Sequence, residues 1–253
     1  MVETSTPAPR IARPVTSVVE ILGLPVHDVD MGMALAAIES FVRAGGPHQV
    51  VTADASMLVM AQEDPELRAI IAGADLVTPD SIGVLWAARR KKKLLRERVS
   101  GVEIAERLCA TSSLRGYRIF FLGAAPGVAA LAAERMRAKY PGVQIAGVRD
   151  GFFSAAETEG VVDEIRASAA NILLVAMGIP KQEKWIQAHR GALGCSVLIG
   201  VGGTLDVLSG LVRRAPRVIQ VLKLEWLWRV LSNPSKINKV MLLPRFVRMV
   251  RSR

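Results

Sequence analysis

Asp80 stands in Val77-Thr78-Pro79-Asp80-Ser81-Ile82-Gly83-Val84, directly after a short apolar run and before a helical pattern. A carboxylate at such a junction is either a helix N-cap or a general base that takes the proton of an attacking hydroxyl. Thr52 and Asp54 follow another apolar run two residues apart, so extended chain puts both on one side. The competing reading is a helix cap by Asp54 or Ser56. Pro180-Lys181-Gln182-Glu183-Lys184-Trp185 opens a helix with three polar side chains in its first turn. Glu183 there suits the helix macrodipole and is also a candidate substrate contact, and the Gln182 amide suits a hydrogen bond to a base or sugar. Asp206 either contacts a nucleotide or caps the 204–208 turn. Asp28-Val29-Asp30 has the spacing of a metal-binding Asp-x-Asp, but its place before a helix favours a cap and a turn. His27, His48 and His189 are scattered, without metal-ligand spacing.

Three apolar runs end in glycine-rich turns that open helices. They carry Gly123 and Gly127, then Gly178 before Lys181, then Gly200, Gly202 and Gly203. Glycine lets backbone N–H groups approach an anion, and a helix N-terminus adds partial positive charge. Three such ends favour a phosphate-bearing ligand. The Walker pattern is absent, and Gly200-Val201-Gly202-Gly203-Thr204-Leu205 fails the dinucleotide fingerprint at its last position. Kinase and dehydrogenase readings lose weight accordingly.

The elements that must hold these residues alternate. Strands are expected at 18–22, 49–53, 75–78, 117–122, 143–148, 172–176 and 196–201. Helices are expected at 31–44, 65–72, 102–112, 126–140, 155–169 and 180–190. This order predicts an α/β fold: a Rossmann-like, mostly parallel sheet with helices on both faces, whose ligand site lies beyond the carboxyl ends of the strands. With 51% apolar residues the 253-residue chain has ample core. The run 195–212 reads as strand, turn and helix rather than a membrane span. Residues 1–16 read as a flexible leader without a signal core, 17–210 as the catalytic domain and 211–253 as a basic, apolar, helical appendage. Cys109 and Cys195 exclude a disulfide scaffold.

Charge is placed unevenly. The net +10 lies entirely in residues 213–253, which hold eleven Lys and Arg against Glu225 alone. A neutral body with a basic tail argues against a nucleic-acid binder and for an anionic membrane surface met by residues 213–253. Trp226 and Trp228 lie in the most apolar part of that tail, as suits a bilayer interface. Lys236/Lys239 and Arg245/Arg248/Arg251 recur every three residues. The apolar tail also offers a surface to a second copy of the chain. The run Arg89-Arg90-Lys91-Lys92-Lys93 reads first as a solvated loop, and it also suits lipid phosphate.

Together these residues resemble the WecG/TagA/CpsF glycosyltransferases. The likeness rests on Asn171-Ile172-Leu173-Leu174-Val175-Ala176-Met177-Gly178-Ile179-Pro180-Lys181-Gln182-Glu183, Gly200-Val201-Gly202-Gly203, Arg214-Ala215-Pro216 and Leu224-Glu225-Trp226-Leu227-Trp228-Arg229. Phe121-Leu122-Gly123 with Pro126-Gly127, Tyr140-Pro141-Gly142, Asp150-Gly151-Phe152-Phe153, Pro79-Asp80 and Arg98-Val99 with Gly101 add to it. The resemblance implies inverting transfer of a sugar from a UDP-sugar to a polyprenyl-diphosphate-linked sugar, without a metal or other cofactor. It implies peripheral attachment at the cytoplasmic face of the membrane. Asp80 would be the base; Thr52, Asp54 and Gln182 would orient sugar or acceptor. Helix starts after Gly123, Gly178 and Gly202, with Lys181, Arg213 and Arg214, would offset charge on the departing diphosphate. Asp54, Ser81 and Glu103 depart from the family's usual Asn, Gly and Asp, which bears on the donor. The rival readings are a membrane adaptor with a vestigial nucleotide fold and a Rossmann-like dehydrogenase or methyltransferase.

Overall fold

The computed structural model describes residues 17–212 and 241–252. The expected leader and Arg213, Arg214, Trp226, Trp228, Lys236 and Lys239 lie outside the described residues.

The chain opens with a hairpin, β1 (Val18–Ile21) and β2 (Leu24–His27). Leu22 and Gly23 both have positive φ, 54° and 76°, as a two-residue turn matched to strand twist requires. The sequence pattern had suggested one strand here. Leucine is rare at the first of these positions, so the turn carried no residue signal.

Helix α1 (Met31–Ala44) starts at Asp30, whose carboxylate accepts from the Met33 N–H at 2.8 Å. Strand β3 (His48–Ala53) leads into α2 (Ala55–Met60) and α3 (Pro65–Ala72), the latter capped by Asp64. Strand β4 (Leu76–Pro79) is followed by α4 (Ile82–Arg90) and α5 (Gly101–Arg115). Then come β5 (Ile119–Gly123), α6 (Val128–Lys139), β6 (Ile145–Arg149), α7 (Thr158–Ala167) and β7 (Ile172–Ala176). Helix α8 (Lys181–His189), β8 (Val197–Gly200) and the short α9 (Thr204–Leu208) end the first segment; α10 (Leu242–Arg251) is the second. A helix start was expected after Asp80 and, on the cap reading, at Asp54 or Ser56, but neither α2 nor α4 had expected bounds. Five of the six α2 residues are buried, so it lacks the polar stripe that marks a surface helix.

Strands β3 to β8 form one six-stranded sheet in the order β4-β3-β8-β7-β5-β6, every pairing parallel. Alternate strand residues enter opposite cores. Val50, Ile119, Leu174 and Ile199 pack with α1, α5, α6 and α9 on one face. Val51 and Val77 pack with the hairpin, α2, α4 and α10 on the other. That second face continues under α7 and α8 through Phe120, Leu173 and Leu198. Phe246 of α10 is fully buried there, so the last helix is part of the packed body.

The β4 edge is blocked to further pairing. The outward Val77 N–H donates to Nδ1 of His27 at 2.9 Å, and the next outward position is Pro79, which has no N–H. The Pro79 carbonyl accepts from the Val99 N–H at 2.9 Å. Burial lowers the His27 pKa below its ordinary value of 6.5. The unfolded chain therefore holds that proton more tightly than the folded one. Stability should be full above about pH 6.5 and decline as pH falls below it. Melting curves between about pH 8 and 5 should show this slope in the native chain and a shallower one in His27→Gln.

Candidate active site

Beyond the carboxyl ends of the strands lies the edge where ligands bind in open parallel sheets. Strands β3 and β8 are neighbours, yet α2 leaves β3 toward one face while α9 leaves β8 toward the other. Such a switch of direction opens a crevice. Thr52 and Asp54 from β3, and the Gly200–Gly203 turn from β8, stand at this point. Asp80 follows β4, the outermost strand. At about 4.8 Å per strand, it is about 10 Å from the β8 turn, about 14 Å from the Gly178 turn and about 19 Å from Gly123.

Asp80 is half-buried. Its backbone is fixed: its N–H donates to the Ala53 carbonyl at 2.9 Å. Ser81 adds a second tie, its hydroxyl accepting from the Ala55 N–H at 3.2 Å. The residues that follow β3 and β4 are thus held to each other. Asp80 lies one residue before the Ser81 N-cap of α4, so the cap reading does not apply to it. Asp54 does cap: its Oδ1 accepts from the Met57 N–H at 2.8 Å and from the Ser56 hydroxyl at 2.6 Å.

Three residues expected to bind substrate, Thr52, Gln182 and Glu183, are placed otherwise. Thr52 is buried, its hydroxyl donating to the Gly200 carbonyl at 2.8 Å. Gly101, at the start of α5, covers it so closely that a Cβ there would lie 3.3 Å from the Thr52 hydroxyl. Gln182 is 1% exposed and Glu183 fully buried. Both share one helix face with Ile186, and that face points at the sheet. Oε1 of Gln182 accepts from the N–H groups of Gly178, at 3.1 Å, and Gly202, at 3.0 Å. Its Nε2 donates to Oε1 of Glu183 at 2.7 Å. Gly200 leaves the room for this: a Cβ there would stand 2.7 Å from the Gln182 amide nitrogen and 2.8 Å from the Glu183 oxygen. Gln182 therefore joins two glycine turns from below.

The turns themselves are tightly stacked. Gly123 has φ +123°, and a Cβ on it would lie 2.5 Å from the Ala176 carbonyl. The Ala124 N–H donates to that carbonyl, and the Gly151 N–H to the Ala124 carbonyl, both at 2.9 Å. Helix α6 begins at exposed Gly127, which has φ +80°. No side chain caps α4, α6 or α8, so three helix starts along this edge present backbone donors. Lys181 is exposed, its Nζ 5.8 Å from the centre of the Phe153 ring. Gly202 and Gly203 lead into α9; Asp206 is half-buried inside that helix, whose N-cap is Gly203, so Asp206 is not the cap.

Asp28 and Asp30 are engaged elsewhere. Asp30 caps α1, and the Asp28 carboxylate accepts from the Arg96 N–H at 2.9 Å and from its Nε at 3.0 Å. Reading the sequence assigned no site role to two residues at the edge. Phe152, just beyond β6, is 74% exposed and offers a bare aromatic face. Arg98, half-buried, precedes Val99, which is bonded to the end of β4; it lies 3.4 Å from Glu103. Both stood within the motifs of the resemblance, but only burial separates an exposed ring from a core one.

Gln182→Leu should leave the Gly178 and Gly202 N–H groups unpaired and destabilise the fold by about 1–3 kcal/mol. Gly200→Ala should cost a similar amount by overpacking, about 1–3 kcal/mol. Urea unfolding of both variants measures this; native stability in Gln182→Leu contradicts the bridge.

Comparison with known proteins agrees with this geometry. Residues 19–253 match the Glycosyl transferase WecG/TagA/CpsF family. A relative from Bacillus spizizenii (strain ATCC 23059 / NRRL B-14472 / W23) is 35% identical over 198 residues, covering 78% of this chain and 76% of its own length. That relative is an N-acetylglucosaminyldiphosphoundecaprenol N-acetyl-beta-D-mannosaminyltransferase. With family match, fold and glycine-lined edge in agreement, the chain belongs to the WecG/TagA/CpsF family of glycosyltransferases.

Proposed function

We propose that the enzyme moves a sugar from a UDP-sugar to a polyprenyl-diphosphate-linked sugar by one inverting displacement, with Asp80 as base. The observation that carries this is the place of Asp80: a half-buried carboxylate on the outermost strand, its backbone tied to the end of β3. An acceptor hydroxyl brought to the carboxyl end of β4 would lie beside this carboxylate. Asp80 takes its proton as the oxygen attacks the anomeric carbon from the face opposite the diphosphate. The uncapped start of α8, with Lys181 and Arg98, offsets charge on the leaving group. Arg213 and Arg214 extend that cationic set on the resemblance alone. Asp54, with one oxygen held by the α2 cap, turns its other toward the sugar.

The name of the relative supports N-acetylmannosamine as the sugar moved and an N-acetylglucosaminyl-diphospho-lipid as acceptor. These are the first pair to assay, followed by UDP-glucose and the uronic acids. Among the described residues no helix is long and apolar enough to cross a membrane. A lipid-linked acceptor is then reached from the bilayer surface, with the basic tail as one attachment.

Asp80→Asn should lower kcat by about 10²–10⁴-fold, the usual worth of a positioned base, with UDP affinity nearly unchanged. Titration calorimetry and UDP-release kinetics read both quantities; undiminished turnover removes the assignment. We further propose that Phe152 stacks on the uracil. Phe152→Ala should raise the donor KM roughly tenfold, in line with one base–aromatic stack, while changing kcat little. An unaltered KM removes Phe152 from the donor site.

A further inference from the structure

The loop after α4 has a chemistry that sugar transfer does not use. Arg89, Arg90, Lys91, Lys92 and Lys93 are consecutive. All but the half-buried Lys91 are exposed, and none of the five side chains makes an ion pair or hydrogen bond among the described residues. Leu94, at their end, is 74% exposed. The run thus combines cations, unpaired among the described residues, with an apolar tip at one loop.

The backbone is pinned as well. The N–H groups of Lys91 and Lys93 donate to the carbonyls of Ala87, at 3.3 Å, and Ala88, at 3.0 Å. Lys92 holds φ +55°, a left-handed helix terminus where glycine is the usual residue. A lysine is thus kept where its own backbone is strained. Leu95, the next residue after Leu94, is buried in the core that also holds Phe246 and Val250 of α10. Arg248 and Arg251 are exposed on that helix. The loop and α10 therefore share the side of the molecule that flanks β4. Helix α4 spans about 13 Å, so the loop stands about that far from the residues following Asp80.

We propose that residues 89–94, with Arg248 and Arg251, dock on the anionic headgroups of a lipid bilayer, Leu94 entering the acyl boundary. Clustered cations supply attraction that falls off within a Debye length, and an apolar tip converts proximity into attachment. Residues 89–94 lie outside the basic tail, 213–253, that the charge pattern assigns to the membrane. This docking rests on the reading that the acceptor is lipid-linked, because it sets the outermost strand, and with it Asp80, beside the bilayer.

Full-length protein is to be sedimented with phosphatidylcholine vesicles, with and without phosphatidylglycerol. Lys92→Gly should melt at the native temperature or above, yet bind phosphatidylglycerol vesicles about fivefold more weakly, the loss of one cation. Lys92→Glu/Lys93→Glu/Leu94→Ser should lose at least tenfold. Arg107→Glu/Arg137→Glu, two exposed positions on the opposite helical layer, should lose much less. With a water-soluble short-chain acceptor the loop variants should turn over at the native rate, and with a vesicle-embedded acceptor more slowly. Unchanged vesicle binding by the loop variants, or an equal loss in the Arg107/Arg137 pair, overturns the proposal. So does a loop effect on single-stranded RNA binding with none on vesicles. Full activity of Asp80→Asn would instead sink the catalytic reading and leave the vesicle result to judge the loop.

Discussion

One buried amide holds the site in register. Oε1 of Gln182 receives two backbone N–H groups from turns on different strands, Gly178 and Gly202. Both glycines sit at positive φ, +80° and +56°. Nothing in local propensity fixes the spacing of two such turns. A shared acceptor does, because a buried donor left unpaired costs about 1–3 kcal/mol. Gly200 is the third party to this contact. Its missing side chain is the volume that the Gln182 and Glu183 side chains fill.

The polar residues along the carboxyl edge therefore divide into two kinds. Thr52, Gln182 and Glu183 turn inward and join strands and turns to one another. Lys181 and Phe152 are exposed on the same scaffold, and Asp80 is half-buried there. The first kind makes the second precise, since exposed groups keep their separation only if the backbone beneath them cannot drift. Asp54 belongs partly to each, with one oxygen committed to α2.

The fold was legible because its signals are strong: short apolar runs, helical periods between them, and Asp-first starts such as Asp30 and Asp64. Elements without those signals were not legible. Helix α2 is buried on nearly every side, and the β1–β2 turn places a leucine where glycine or asparagine is customary. The glycine turns stand at strand ends, as the sequence pattern implied, but which way the first turn of α8 faces was not legible. The clue was present in Ile186, which lies four residues after Gln182 and fixes the inward face. Its weight depended on knowing that the sheet lies on that side. Exposure of Phe152 and Leu94 could not be read from residue type, because both are ordinary core residues elsewhere.

The closed side of β4 sets a limit on the sheet. Pro79 offers no donor, His27 occupies the one beside it, and Val99 takes the last carbonyl. A seventh strand has nowhere to attach, so the sheet ends at β4, next to Asp80. The sheet therefore cannot extend on this side, either within one molecule or by pairing with the edge of another.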